Sequence, residues 1–490
     1  MARTSGGPPW WGSLHLAHSV LFIMWGTVVV ATLGVAAGLV AVARGARPPV
    51  KAVLAASFIA VAAFAVLPPA GSTDAQSYAL DGSMVVLNHS PYEDTPAQMV
   101  RYGDRFAVNS PKTWRQAKSD YGPLATAEEW VSAELGGWSL AQVTFWLKLW
   151  VELAFVAVTL LLDRVLRSDP AMRLRAHLLW SVNPLVLWEI VAAGHIDGLA
   201  VAFGLGGLLL IQSSSGGATP HTPRPHARSQ AIVSGVRFPR PDARPSLLRC
   251  MGAGALIGLA ADIKSPFLLF GLGAAWAVRK SPAALASLAA GAVVVLVPSY
   301  AAFGSPAVSV LFDRSDQVTW DNLYQVIYRP IGFSKFGADN APADLSTIAL
   351  VLFVAVALLA FVRMPDRVRG LPAVTPALAL TMGWIFLWPF QRPWYDVMII
   401  ALLALYPRSW LDWVVLARLC FGAIAYMEST SEPAHTLLQH VQLLQGEWIT
   451  SSVRLLAVIA LVYMCVSRRW GFSPDTESPS VGQPLLQPQS

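Results

Sequence analysis

The sequence predicts an all-α, polytopic integral membrane protein, and three observations carry that expectation. Of 490 residues, 55% are hydrophobic and only 13% are charged, with a mean hydropathy of +0.51. A soluble domain carries about a quarter charged residues, so a chain this apolar needs lipid as its solvent. The apolar residues also fall in continuous runs rather than the short alternating segments of a β-barrel. Finally, one long polar insert, residues 70–139, interrupts the runs early and holds nine acids against five bases.

Taken in order, the apolar runs span residues 18–43, 52–69, 140–162, 176–191, 198–212, 250–262, 266–278, 281–303, 344–362, 371–388, 394–407, 410–427 and 449–466. That predicts about thirteen transmembrane helices, with a large outer-face loop after the second. The first run is longer than the apolar region of a signal peptide and is followed at once by another, which argues against cleavage. The two runs beside Asp262–Lys264 are short for full crossings and read as a broken or re-entrant element.

Basic residues set the orientation. Arg44, Arg47 and Lys51, then Arg164 to Arg175, Arg279 and Lys280, Arg363 to Arg369, Arg408, and Arg468 and Arg469 all fall in alternate loops. The positive-inside rule makes these loops cytoplasmic, with the N-terminus outside and the C-terminus inside. The whole chain, 1–490, reads as one membrane-embedded domain. Within it, 70–139 is the outer loop, 213–249 a flexible cytoplasmic linker with six arginines, and 471–490 a disordered cytoplasmic tail. The net charge of +6 is dispersed over short loops, so no nucleic-acid partner is expected. Cys250, Cys420 and Cys465 lie in or beside apolar runs without metal-ligand spacing and read as small core residues. No three histidines or carboxylates sit at metal spacing, so neither a metal nor a cofactor is expected.

The polar motifs gather on or near the predicted outer face. Asp74 stands a few residues after the second run, at the head of Asp74-Ala-Gln-Ser-Tyr78-Ala-Leu-Asp81-Gly82, with Pro91-Tyr92 following. Then come Tyr121-Gly122-Pro123-Leu124, Asn183-Pro184-Leu-Val-Leu, Gly194-His195-Ile-Asp197, Lys264-Ser-Pro266 and Arg392-Pro393-Trp394-Tyr395. A carboxylate at a membrane lip is expensive to keep without a use, and partial desolvation strengthens it as a base. Its competing structural role is to cap the next helix or to pair with an arginine of the same loop. Asp81 is the fallback base.

In this order and on this shared side, the motifs resemble those of GT-C glycosyltransferases that use a polyprenyl-phosphate sugar, and most resemble the actinobacterial polyprenol-phosphomannose-dependent α-1,6-mannosyltransferases. The match runs from about residue 74 to residue 395. It departs at Ile196, where the family usually has Asn, and in the long linker. The resemblance implies a GT-C fold in the cell membrane with its active site on the outer face. It also implies transfer of mannose from a polyprenyl-phosphate donor to a glycan or lipoglycan acceptor of the cell envelope, with inversion and α-1,6 linkage.

On that reading Asp74 is the catalytic base. Lys264, Arg392 and His195 are the cations for the donor phosphate, while Asp197, Tyr78, Tyr92, Tyr121, Trp394 and Tyr395 line the donor or sugar site. Each has a plainer role: Lys264 paired with Asp262, Arg392 as an interfacial anchor, and His195 with Asp197 as a buried hydrogen-bonded turn. A GT-C transferase of another sugar such as arabinofuranose, or one acting on a protein acceptor, fits the same residues. The rival outside enzymes is a transporter or lipid flippase, which many spans and broken helices also suit. Against it stand the absence of an internal repeat and the crowding of polar motifs on one face.

Overall fold

The computed structural model describes residues 19–104, 106–109, 114–214, 246–313, 318–328, 330, 344–365, 371–426, 441 and 444–471. Among them every regular element is helical. The tail beyond 471, most of the 213–249 linker and parts of the 304–343 loop lie outside the described residues.

The first helices are α1 (Ser19–Ala43) and α2 (Val50–Ala65). The polar insert follows, and it is itself folded. It contains α3 (Asp74–Val86), α4 (Pro96–Arg101) and α5 (Pro123–Gly136). Local chemistry fixes these starts. Thr95 and Gln98 form a reciprocal capping box on α4, and Pro123 occupies the first turn of α5, where its missing N–H is no loss.

Next come α6 (Leu140–Val165), capped by Ser139, and α7 (Pro170–Leu179), whose Asp169 carboxylate accepts from the N–H groups of Ala171 and Met172 at 3.0 Å each. A short α8 (Pro184–Val186) runs on as a π turn over Leu187–Ala192 before α9 (Asp197–Ser214). The Asn-Pro-Leu-Val motif thereby finds a structural purpose: Asn183 Oδ1 caps α8 by accepting from Leu185 N at 3.1 Å, and Pro184 opens it. The second half of the chain holds α10 (Leu247–Ile263), α11 (Leu268–Val278), α12 (Pro282–Phe303), α13 (Ser305–Asp313), α14 (Tyr324–Tyr328), α15 (Leu345–Arg363), α16 (Val374–Leu387), α17 (Val397–Leu403), α18 (Trp410–Tyr426) and α19 (Ser451–Ser467).

Five helical stretches are long and apolar enough to cross a bilayer: Phe22–Ala43, Leu140–Val165, Pro282–Phe303, Leu345–Arg363 and Gln445–Ser467. A sixth is the pair Pro170–Ala192 and Asp197–Gln212, bent by 115° at the Gly-His-Ile turn. Shorter apolar helices, Val50–Ala65, Ser265–Val278, Val374–Leu387 and Pro393–Leu403, account for other apolar runs. Among its described residues the chain is therefore an all-helical polytopic membrane protein. The break expected beside Asp262–Lys264 takes the form of a 3-10 turn, Ser265–Phe267, between α10 and α11.

The insert is clamped to the bundle. Helix α3 packs on α5 and α6, and α5 also packs on α10. At the α5–α10 junction Gly122 N donates to Ile263 O at 3.1 Å, and a Cβ on Gly122 would run into the Asp262 carbonyl. Only glycine allows that approach.

Several charges inside the spans are paired, as a low-dielectric solvent favours. Lys148 of α6 is 1% exposed and donates to Phe64 O and Leu67 O at 2.5 and 2.8 Å, so it caps the open C-terminal carbonyls of α2. At the other end of α6, Arg173 grips Asp163 at 2.6 Å, while Arg175 reaches Asp412 through two nitrogens at 2.9 and 2.5 Å.

Candidate active site

Asp74 is the first residue of α3, and its own N–H donates to Ser72 Oγ at 3.1 Å. A carboxylate in a first helical turn is favoured by the helix dipole, so the capping role weighed from sequence has a geometric basis. Asp74 does more than cap, because it also lines an open cavity.

Three segments wall that cavity. One face of α3 supplies Asp74, Ser77, Tyr78 and Asp81, which recur at helical spacing. Trp114 and the stretch Ala117–Tyr121 form a second wall. Phe390, Arg392, Trp394 and Tyr395 form the third. Six of the residues picked out from sequence as a base or a binder, Asp74, Tyr78, Tyr121, Arg392, Trp394 and Tyr395, thus share one space, and Asp81 lies there too.

Three of the four remaining candidates stand immediately behind. His195, 1% exposed, stacks on Trp394 with ring centres 3.7 Å apart and brings Nε2 to 3.6 Å from Asp74 Oδ2. Its position depends on the bend before α9. Gly194 there has φ +74, in the left-handed region, and a Cβ would sit 3.0 Å from Lys148 Cγ. Lys264 pairs with Asp197, not with the adjacent Asp262. Its Nζ lies 2.9 and 3.0 Å from the two carboxylate oxygens and 4.0 Å from the centre of the Tyr395 ring. The reason is topological: the 3-10 break after α10 turns Lys264 toward the N-terminus of α9. Tyr92 does not join the group. It is 1% exposed, bonds Thr126 Oγ1 at 2.8 Å and packs edge-on against Phe303.

Arg392 differs from Lys264 in charge balance. Among the described residues no carboxylate pairs with it. Its guanidinium is instead enclosed by the rings of Tyr426, Phe390, Trp114 and Trp394, at 4.9, 5.0, 5.7 and 6.0 Å. Among the described residues its side chain meets rings rather than a carboxylate, which leaves N–H donors for a ligand, and a guanidinium fork matches phosphate. Across the cavity Tyr78 and Tyr121 meet at 3.1 Å through their hydroxyls. Burial first, then the Asp74 charge, pushes the Tyr78 phenol well above its ordinary value, so it stays a neutral donor.

The third wall is braced from below by groups that went unremarked in the sequence. Arg418 Nη1 donates to Gln391 Oε1 at 3.1 Å and Arg418 Nε to Asp396 at 2.9 Å, while Arg454 pairs with Asp321 at 2.7 Å. Lys148, beneath Gly194, belongs with them. All three cations stand inside apolar runs. That is the signal by which they could have been found, since charge in a span survives only when it is paired. Among the described residues no three His, Cys, Asp or Glu side chains converge at metal-ligand geometry.

A sugar stacks its apolar face on aromatic rings, and an anionic leaving group is matched by a cation. A cavity that sets such rings and a guanidinium beside a carboxylate suits a glycosyltransferase. Comparison with known proteins narrows that class. The chain belongs to the alpha-(1->6)-mannopyranosyltransferase family, whose N-terminal domain model matches residues 3–280. It is 24% identical over 451 residues to a probable alpha-(1->6)-mannopyranosyltransferase of Mycolicibacterium smegmatis, covering 86% of this chain and 75% of that protein. It is also 24% identical over 371 residues to an alpha-(1->6)-mannopyranosyltransferase of Mycobacterium tuberculosis, covering 67% of this chain and 61% of that one. No solved structure matches the chain.

Proposed function

We propose that this glycosyltransferase moves a mannosyl residue from a polyprenyl-phosphate-mannose donor to a glycan or lipoglycan acceptor on the outer face of the membrane. The names of the two mycobacterial relatives support the sugar and an α-1,6 linkage. The observation that carries the mechanism is that Asp74 and Arg392 face one cavity from different walls.

The donor phosphate sits on Arg392, with the sugar against Trp394, Tyr395 and Tyr121. Asp74 removes the proton from an acceptor hydroxyl as its oxygen attacks the anomeric carbon. The bond from that carbon to the phosphate oxygen breaks, and the electron pair leaves on the phosphate, where Arg392 stabilises it. In-line attack on a β-linked donor gives an α product. Lys264, neutralised by Asp197, orders the Tyr395 wall rather than holding the phosphate alone. No metal or other cofactor enters this scheme. The expected topology counts the shorter apolar helices as crossings, about thirteen in all, with an outer N-terminus and a cytoplasmic C-terminus.

The test is an assay of membranes containing the protein with radiolabelled polyprenyl-phosphate mannose and a short α-1,6-mannose oligomer. Incorporation of label into the extended oligomer is the expected result. Transfer from a polyprenyl-phosphate arabinose donor alone would reassign the sugar. No transfer from any lipid-linked sugar would overturn the reading.

A further inference from the structure

The Asp74–His195 contact has the wrong polarity for an ordinary hydrogen bond. His195 Nδ1 is bonded to the backbone carbonyl of Glu189, and a carbonyl only accepts, so Nδ1 carries the imidazole proton. In the neutral ring Nε2 is then a bare lone pair. That atom is buried, has no hydrogen-bond partner among the described residues, and faces Asp74 Oδ2 at 3.6 Å. Two acceptors face each other across a gap with no proton between them. A buried acceptor left unmatched is unfavourable, and one that recurs at a functional site asks for a purpose.

The mismatch disappears once Asp74 has taken a proton. The new carboxylic O–H can then donate to Nε2, and the gap closes to hydrogen-bond length through a small side-chain movement. We infer that His195 is a positioning residue for Asp74, serving as a neutral acceptor whose bond forms only as the base receives the acceptor's proton. This rests on Asp74 being the base.

The contribution is catalytic in sense, because the interaction is stronger in the transition state than in the ground state. The proton does not travel on to the ring. The ring is buried and stacked on Trp394, away from water that would solvate an imidazolium. The proton therefore stays on the Asp74 oxygen. The groups that face the pair are Lys264 from the α10–α11 connection, Arg392 and Trp394 from the third wall, and Tyr78 and Tyr121 from the other two. None of them offers a donor that would make the Nε2 lone pair redundant.

His195→Asn tests this with the least disturbance. An asparagine amide keeps the position of Nδ1 and can still donate to the Glu189 carbonyl, but it has nothing at the place of Nε2. His195→Gln is the companion variant, since its amide N–H reaches toward Asp74 and stabilises the carboxylate. Both should lower kcat by roughly tenfold, the scale of one net hydrogen bond, and leave donor KM within about twofold. The acid limb of the kcat–pH profile should move to lower pH in both, further in His195→Gln. Combined with Asp74→Asn, either substitution should add almost no further loss, because His195 acts only through that carboxylate.

A donor KM raised tenfold or more with kcat preserved would overturn the inference and make His195 a phosphate ligand. Losses that multiply in the double variant, with an unmoved pH profile, would overturn it in favour of a purely structural turn. Failure of the base reading has a separate signature, wild-type turnover in Asp74→Asn alone.

Discussion

Asp74→Asn is the perturbation that most directly interrogates the site, because the structure separates its two jobs by size. As the first residue of α3, the Asp74 carboxylate contributes a helix-dipole interaction of about 0.3–1 kcal/mol to folding. Asparagine keeps the size and reach but is neutral, so at most that amount is lost. As the proposed base, the carboxylate would contribute about 10²–10⁴-fold to the rate, equivalent to roughly 3–5 kcal/mol of barrier. The catalytic effect thus exceeds the structural one several times over, and turnover per folded molecule tells them apart. Asp81→Asn supplies the control. It lines the same cavity two turns along α3, about 10 Å farther along the helix axis, and is out of reach of the same hydroxyl. The assay is transfer of labelled mannose at saturating donor, normalised to monodisperse protein in detergent. Asp74→Asn should lose about 10²–10⁴-fold, Asp81→Asn much less, with both melting near the wild type. Wild-type turnover in Asp74→Asn, or equal losses in the two variants, would refute the assignment of the base.

Arg392→Ala should raise apparent donor KM by about a hundredfold and leave acceptor KM nearly unchanged, since it deletes a charged phosphate partner; unaltered donor affinity would return Arg392 to an anchoring role. Lys264→Ala should act mainly on stability, by roughly 3–5 kcal/mol, because it leaves Asp197 buried without its cation. The melting temperature reads this, and adding Asp197→Asn should restore part of the loss. Lys148→Met removes the donor shared by Phe64 O and Leu67 O and should destabilise the protein by about 1–3 kcal/mol; an unchanged melting temperature would show that α2 ends without this cap. On intact cells a cysteine at Val108, which is 62% exposed, should react with an impermeant thiol reagent, while one at Gly217 in the linker should not; the reverse pattern would invert the proposed orientation.

Much of this protein was legible in its sequence because bilayer solvation acts on segments one at a time. Apolar runs declare that helices cross lipid, and the Asn183-Pro184, Asp169-Pro170 and Ser281-Pro282 pairs each mark a helix start from residues that are neighbours in the chain. The candidate residues Asp74, Arg392, Trp394 and Tyr395 stood out for the same reason, as polar or amphipathic groups at the ends of such runs, while Tyr121 stood out by its motif inside the polar insert. Hydropathy does not say which run meets which. That Lys264 pairs with Asp197 rather than with Asp262, two residues away, follows from a 3-10 break and the packing of α10 on α9. Tyr92 is drawn into a buried bond with Thr126 by the docking of α5 beneath α3, a contact that no local pattern encodes. The polar insert read as a loop because its helices are short and only partly apolar, and they are held by burial against the bundle rather than by propensity. Above all, the 115° bend at Gly194 sets His195 Nε2 against Asp74. The sequence determined which residues would leave water and which could carry chemistry. Their distances were decided by the packing of segments far apart in the chain, where the free energy lies in contacts that exist only once the whole bundle has formed.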